Sequence, residues 1–338
     1  MDEQLNQLLT VLDANDIQES DDRVHFKIGE RKQELYKGFP LVVIIETSSH
    51  CNLECLGCPY KDLSRPHQYM EPALFRKIVD EVSQYNVRTW FHFMGEPLLH
   101  PQLFELMEYA SQRGLPYFGI SSNGLALTMD LAEKILDSGL HRFEVSLDSM
   151  DPELLGKIRP GGDPRVIIEN TANYFKMKYS RNQKYPISSV AIRELQENAH
   201  EIEGFIAYWN NILKEPDFVM SIRYDSWGGH ENRGHSTWTP PEKRLPCLKL
   251  WNTMIILADG RVVTCNGKWD AQLVMGDVKT TSVREIWSNN EYKEVRQKHL
   301  NGQQNEVIAC GDCVDWYREA GPHQYTNWTY KAKDWTFK

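Results

Sequence analysis

The chain reads as an α/β protein, a partial (β/α)6 TIM-like barrel followed by a small C-terminal α+β unit, and three observations point there. From about residue 38, β-rich runs alternate with stretches of helical periodicity. After a Gly-, Pro- and polar-rich segment at 225–246 that alternation gives way to a different pattern. A length of 338 residues suffices for a barrel with an appendage, at roughly 100 to 200 residues per domain.

Taken in order, residues 1–37 form an N-terminal extension: a short helix carrying Leu5, Leu8, Leu9 and Leu12, then polar alternation. Strands follow at 41–47, 88–94, 117–122 and 142–147. Between them lie amphipathic helices marked by Leu74, Phe75, Ile78, Val79 and Val82, by Leu103, Phe104, Leu106, Met107 and Ala110, and by Leu131, Ala132, Ile135 and Leu136. Runs at 187–192 and 218–223 complete about six units, and the barrel is expected over 38–225. Successive βα units demand a parallel sheet with right-handed crossovers, so reactive residues belong at the C-terminal ends of the strands. A connection at 226–246 leads to a second unit at 247–320. There, runs at 253–257 and 261–264 around Asp259-Gly260 predict a hairpin with a type I′ turn, and a helix is expected over 283–299. The aromatic-rich tail, 321–338, is expected to pack onto the body.

Composition removes several functions. A net charge of −9 without a long basic stripe argues against a nucleic-acid partner. No apolar run approaches the roughly 18 residues of a membrane span. The N-terminus is acidic and polar, unlike a secretory signal, so the expected location is the cytoplasm. Seven cysteines, an odd number in a reducing compartment, favour metal or redox chemistry over disulfides.

Immediately after the first strand stand Cys51, Cys55 and Cys58, at spacing C-x3-C-x2-C. Three thiolates on a loop at the end of a barrel strand can each bind one iron of a [4Fe-4S] cube and leave the fourth iron open. Zinc sites more often pair cysteines at two-residue spacing and close with a fourth ligand, for which His50, adjacent to Cys51, is badly placed. The other four, Cys247, Cys265, Cys310 and Cys313, fall together in the second unit. On ligand count alone they suit either a second cluster or a structural Zn(Cys)4 site.

The triplet, in this position, resembles the radical S-adenosylmethionine (SAM) superfamily, and further segments match in order. Phe91-His92-Phe93-Met94-Gly95-Glu96-Pro97 resembles the element after the second strand that holds the methionine amino group. Ser121-Ser122-Asn123-Gly124 is similar to the element near the ribose, and Val145-Ser146-Leu147-Asp148 to the fourth. Arg159, in Lys157-Ile158-Arg159-Pro160-Gly161, matches an arginine that meets the SAM carboxylate or the substrate. The resemblance therefore implies SAM contacts from Gly95, Glu96, Pro97, Ser122, Asn123, Asp148 and Arg159. One position departs: the aromatic residue that often precedes the third cysteine and contacts adenine is Gly57 here, with Tyr60 as the substitute.

The second unit, with Cys247-Leu248-Lys249-Leu250-Trp251, Val262-Val263-Thr264-Cys265, Met275-Gly276-Asp277-Val278, Ile286-Trp287 and Cys310-Gly311-Asp312-Cys313, resembles the SPASM iron-sulfur domain in its truncated, single-cluster twitch form, of the kind an aminocyclitol dehydrogenase carries. That resemblance favours an auxiliary [4Fe-4S] cluster on those four cysteines. Together the resemblances cover about residues 40–318.

They imply cleavage of SAM to a 5′-deoxyadenosyl radical, hydrogen abstraction from a small polar metabolite such as a sugar or aminocyclitol, and oxidation with the auxiliary cluster as electron acceptor. An electron donor of the flavodoxin or ferredoxin type is implied as a partner. Two clusters consume all seven cysteines, leaving no thiol to return a hydrogen atom. Candidate catalytic residues are His92, Arg159, Arg223 and His230, with Glu231, Arg233 and His235 in the same connection. The alternative is a maturase that crosslinks, epimerises or rearranges a ribosomally made precursor peptide, for which 1–37 is too short to be a leader-recognition domain. A noncatalytic iron-sulfur or zinc scaffold would not need the Gly95-Glu96-Pro97 element.

Overall fold

A computed structural model of the chain describes residues 3–28, 31–230 and 242–316. The chain opens with helix α1 (Glu3–Val11) and an antiparallel sheet of β1 (Asn15–Glu19), β2 (Arg23–Ile28) and β3 (Arg31–Tyr36). Leu5, Leu8 and Leu9 bury one face of α1, and Val24, Phe26 and Ile28 alternate into the core from β2. Strand β1 is exposed along its whole length.

Six parallel strands then follow in sequential order: β4 (Val42–Ile45), β5 (Arg88–Trp90), β6 (Phe118–Ser122), β7 (Arg142–Ser146), β8 (Ile187–Glu194) and β9 (Phe218–Arg223). Helices α2 (Pro72–Val82), α3 (Leu103–Gln112), α4 (Met129–Asp137), α5 (Pro152–Ile158) with α6 (Pro164–Ser180), and α7 (Ile202–Ile212) make the crossovers. Proline opens α2, α5 and α6, where its missing N–H costs nothing, and Thr128, Asp151 and Asp163 cap α4, α5 and α6 with side-chain oxygens. Strand residues alternate: Val43, Ile45, Phe118, Ile120, Phe143, Val145, Val190 and Ile192 are fully buried under the helices, while Ile44, Trp90, Ser121, Glu144 and Ser146 are half-buried and face the lumen.

The second unit continues the same sheet. After α8 (Lys249–Asn252), β10 (Thr253–Ile256) pairs in parallel with β4, and β11 (Arg261–Val263) and β12 (Gly276–Asp277) extend the edge antiparallel. The β10–β11 connection is not the expected type I′ turn. Asp259 keeps negative φ and Gly260 alone is left-handed, at φ +91°. Gly260 N–H donates to Leu257 C=O at 2.8 Å, so the turn spans Leu257-Ala258-Asp259-Gly260, the arrangement of a type I turn followed by a glycine bulge. The helix expected over 283–299 is two, α9 (Val283–Trp287) and α10 (Asn290–Leu300), because Asn289 stops the first and caps the second by accepting from Tyr292 N. The barrel strand expected over 88–94 ends at Trp90, where the chain turns. Tail residues 321–338 lie outside the described residues. Among the described residues no helix is long and apolar enough to cross a membrane.

Candidate active site at the barrel mouth

The turns after β4, β5 and β6 are stitched together at the C-terminal end of the barrel. Thr47 Oγ1 donates to Phe91 C=O at 2.8 Å and Glu96 N–H to His50 C=O at 2.8 Å. A Cβ on Gly95 would sit 2.3 Å from Ser48 O, so only glycine lets the second turn lie on the backbone of the first. The cysteine loop is pinned from outside by α5: Glu54 and Leu56 donate backbone N–H to Pro160 and Ile158 C=O, at 2.9 and 2.7 Å. Tyr60 Oη accepts from Cys51 N at 2.9 Å, fixing the loop from within.

Burial pushes the Cys51 and Cys58 thiols up to about 12, and each also feels the neighbouring cysteines. Burial raises Cys55 too, against the pull of Arg159. Such thiols stay protonated unless a cation replaces the proton, and a bound iron cube supplies that charge. The three side chains therefore fit a cluster, with Arg159 as a nearby positive charge.

The remaining residues implied by the resemblance converge on the same mouth. Fully buried Glu96 accepts Leu98 N–H (3.0 Å) on one oxygen and Asn123 N–H (2.7 Å) on the other, with a further bond from the Ser122 side chain, which leaves acceptor capacity for an ammonium group. Pro97 opens the turn that Glu96 caps. Ser122 Oγ accepts Gly124 N–H at 3.1 Å, and Asn123 Nδ2 donates to Asn52 Oδ1 at 2.7 Å with Cys51 Sγ 3.9 Å away. Asp148, at φ +63°, holds Arg159 through Nε (3.0 Å) and Nη2 (2.6 Å) and accepts Arg193 N–H at 2.7 Å. Asp148 thus orients Arg159 toward the cysteines.

The candidate catalytic residues separate. His92 lines the lumen, but its Nδ1 accepts Ser121 N–H at 3.0 Å, which leaves the proton on Nε2. Burial, and then Arg193, lower its pKa to about 4. The ring therefore presents a donor, not the base expected of it. Arg223 is half-buried at the end of β9, in register with Glu194. His230 is exposed, 3.1 Å from Asp62 Oδ2 and edge-on to Trp269. Glu231, Arg233 and His235 lie outside the described residues.

The structure adds Glu144. It is half-buried on the lumen side of β7, and Ser121 Oγ donates to it at 3.0 Å with Ser146 Oγ 3.3 Å beyond. Burial raises its pKa despite Arg142 and Ser121. It also adds Tyr224, whose ring stands 2.5 Å from where a Cβ on Gly57 would be; Gly57, at φ +72°, is vacant because that ring fills the space. The only hint in the sequence was the missing aromatic at 57.

Cys247, Cys265, Cys310 and Cys313 also gather. Cys247 is raised well above the ordinary thiol range by burial and then by Cys265, Cys313 and Cys310, and burial pushes Cys313 up to about 12. Among the described residues no three His, Cys, Asp or Glu side chains converge closely enough for one metal ion. Four buried thiols that feel one another offer the donor set of a [4Fe-4S] cube, and on ligand count also that of a Zn(Cys)4 site.

Both cysteine sites are locked together. Glu46, at the end of β4, takes a bidentate pair from Arg65 (2.5 and 2.7 Å) and accepts Ala258 N–H at 3.0 Å, while Arg65 Nε donates to Trp269 C=O at 3.0 Å. Trp227 Nε1 donates to Gly57 C=O at 2.9 Å, and Gly228, at φ +76°, lies on the backbone of Gly267.

Comparison with known proteins agrees with this geometry. The radical SAM superfamily profile matches residues 45–203, and the SPASM iron-sulfur cluster-binding domain matches residues 247–314. The probable GTP 3′,8-cyclase of Methanocaldococcus jannaschii is 34% identical over 125 residues, 37% of this chain and 42% of that relative, so less than half of its length is spanned. The S-adenosyl-L-methionine-dependent 2-deoxy-scyllo-inosamine dehydrogenase of Niallia circulans is 22% identical over 281 residues, 80% of this chain and 92% of that one. The structure of Streptococcus suis SuiB bound to the precursor peptide SuiA superimposes with a TM-score of 0.62 at 13% identity, covering 78% of this chain and 67% of SuiB, a likeness of fold. With its cysteine triplet at the mouth of a six-stranded partial barrel and four more cysteines on the sheet extension, the chain belongs to the radical SAM superfamily and carries a C-terminal SPASM iron-sulfur domain.

Proposed function

We propose that the chain oxidises a small, polar, hydroxylated or aminated metabolite by radical SAM chemistry. The observation that carries this reading is the lumen. Beside the cysteine triplet it offers a carboxylate (Glu144), two hydroxyls (Ser121 and Ser146), an imidazole N–H (His92) and the half-buried Arg193, a surface made for hydrogen bonding. When bound, the first cluster with SAM supplies a 5′-deoxyadenosyl radical that takes a hydrogen atom, and the auxiliary cluster supplies an acceptor for the second electron.

The chain's own residues do the rest. Cys51, Cys55 and Cys58 hold the first cluster, and Cys247, Cys265, Cys310 and Cys313 the second. Glu96 takes the methionine ammonium, Asn123 and Ser122 face the ribose, and Arg159, steadied by Asp148, takes the carboxylate. Tyr224, whose ring lies beside Gly57, joins Tyr60 as an aromatic candidate for the adenine. Glu144 accepts the hydroxyl proton as the carbinol becomes a carbonyl, and His92 donates a hydrogen bond to the substrate. A flavodoxin or ferredoxin-type protein supplies the reducing electron, in the cytoplasm. The full span of the dehydrogenase match supports this reading, and the likeness to a peptide-bound fold keeps the precursor-peptide alternative as an outcome of the test.

The test is anaerobic release of 5′-deoxyadenosine with a panel of aminocyclitols and sugars, and separately with peptides. Release dependent on a cyclitol or sugar, with one ketone formed per SAM, is expected. Cys55→Ala abolishes it, and Glu144→Gln lowers product formation more than tenfold while SAM still binds. Release stimulated by peptides alone overturns the metabolite reading.

A further inference from the structure

Lys268 is fully buried, yet the side-chain partner its ammonium meets among the described residues is a sulfur and not a carboxylate. Its Nζ donates instead to Cys310 Sγ at 3.3 Å, and its backbone N–H donates to Cys265 C=O at 3.0 Å. Its partners are thus cysteines of the second site. A buried ammonium is costly unless a counter-charge meets it, and here the counter-charge exists only when those thiols are ionised by what they bind. A cluster on these cysteines would provide that negative charge.

Cluster potentials follow net charge and hydrogen bonds to sulfur, because reduction adds negative charge that a nearby cation and N–H donor stabilise. We propose that Lys268 is the positioning residue of the auxiliary cluster, its ammonium on Cys310 Sγ holding the reduction potential high enough for the site to accept an electron. This rests on the reading above, in which that cluster is the acceptor. Arg244 acts in the same sense from the Cys310 and Gly311 carbonyls, and Asp315, whose Oδ2 is 3.7 Å from Cys313 Sγ, acts against it.

The test is an EPR-monitored potentiometric titration of the reconstituted full chain, in a Cys51→Ala/Cys55→Ala/Cys58→Ala background that leaves the auxiliary cluster alone. Lys268→Met lowers the midpoint, raising the oxidised-to-reduced ratio at the parent potential at least tenfold, which is 59 mV for one electron. Lys268→Arg retains most of the parent value, and Asp315→Asn shifts it the other way. Equal midpoints for Lys268→Met and its parent overturn the proposal while leaving the acceptor reading intact. Zinc in place of iron at this site overturns both. If Lys268→Met takes up no cluster, pulsed EPR on the parent labelled with 15N-lysine decides. A nitrogen and exchangeable-proton coupling to the reduced cluster supports the contact, and its absence overturns it.

Discussion

Gly57 and His92 show how much one atom decides at this mouth. A methyl group at 57 would meet the Tyr224 ring at 2.5 Å on a backbone already at φ +72°. Gly57→Ala is therefore expected to cost about 1–2 kcal/mol from the left-handed backbone alone, with the clash in addition. It should also lower iron retained at the first site, and Gly57→Ala with Tyr224→Leu should recover part of the loss in a urea titration. His92 makes stability depend on pH. Its folded pKa of about 4 lies below the ordinary 6.5, so between those values the unfolded chain binds the proton more readily. The stabilisation is present above pH 6.5 and is lost as pH falls toward 4, by at most about 3 kcal/mol. His299, lowered to about 3 mainly by burial, adds to the same slope. In His92→Asn, the amide oxygen can still accept Ser121 N–H; urea midpoints measured from pH 7 to pH 4 should fall less steeply than in the parent.

Among the elements, the barrel strands were legible because helices bury one face and the residues between them line the lumen, writing apolar runs such as residues 41–45 into the sequence. Strand β1 was illegible for the opposite reason: exposed throughout, it carries no alternation to read. The hairpin was half legible. Asp-Gly marks a turn correctly, but its type depends on which residues take positive φ, and Leu257 to Gly260 closes so that Gly260 alone does. That placement is testable. A Cβ at Gly260 would stand 3.0 Å from Asp277 Oδ1 at φ +91°, so Gly260→Ala is expected to destabilise the chain by about 1–2 kcal/mol, read as a lower urea midpoint with an unchanged slope. A type I′ turn would put positive φ at 259 as well as 260, whereas here the left-handed strain falls on 260 alone.

On the scale of the molecule, Glu46 and Arg65 join β4, the first cysteine loop and the second unit through one fully buried ion pair. Arg65→Met strands the carboxylate and is expected to cost about 3–5 kcal/mol. The double variant Arg65→Met/Glu46→Gln should be the less damaged of the two, by thermal unfolding and by iron retained at both sites. Neither residue stood out in the sequence, nor did Lys268 or Tyr224, because their partners lie far away along the chain. The cysteines did stand out, since their spacing is local. The parallel seam between β4 and β10 has a consequence for synthesis. Ile45 pairs with Ile256, roughly two hundred residues later, so at about 5–20 residues per second the inner strand of the barrel waits on the order of 10–40 s for its neighbour. Throughout that interval a Val-Val-Ile-Ile edge stands unpaired on the nascent chain, the kind of edge that templates aggregation.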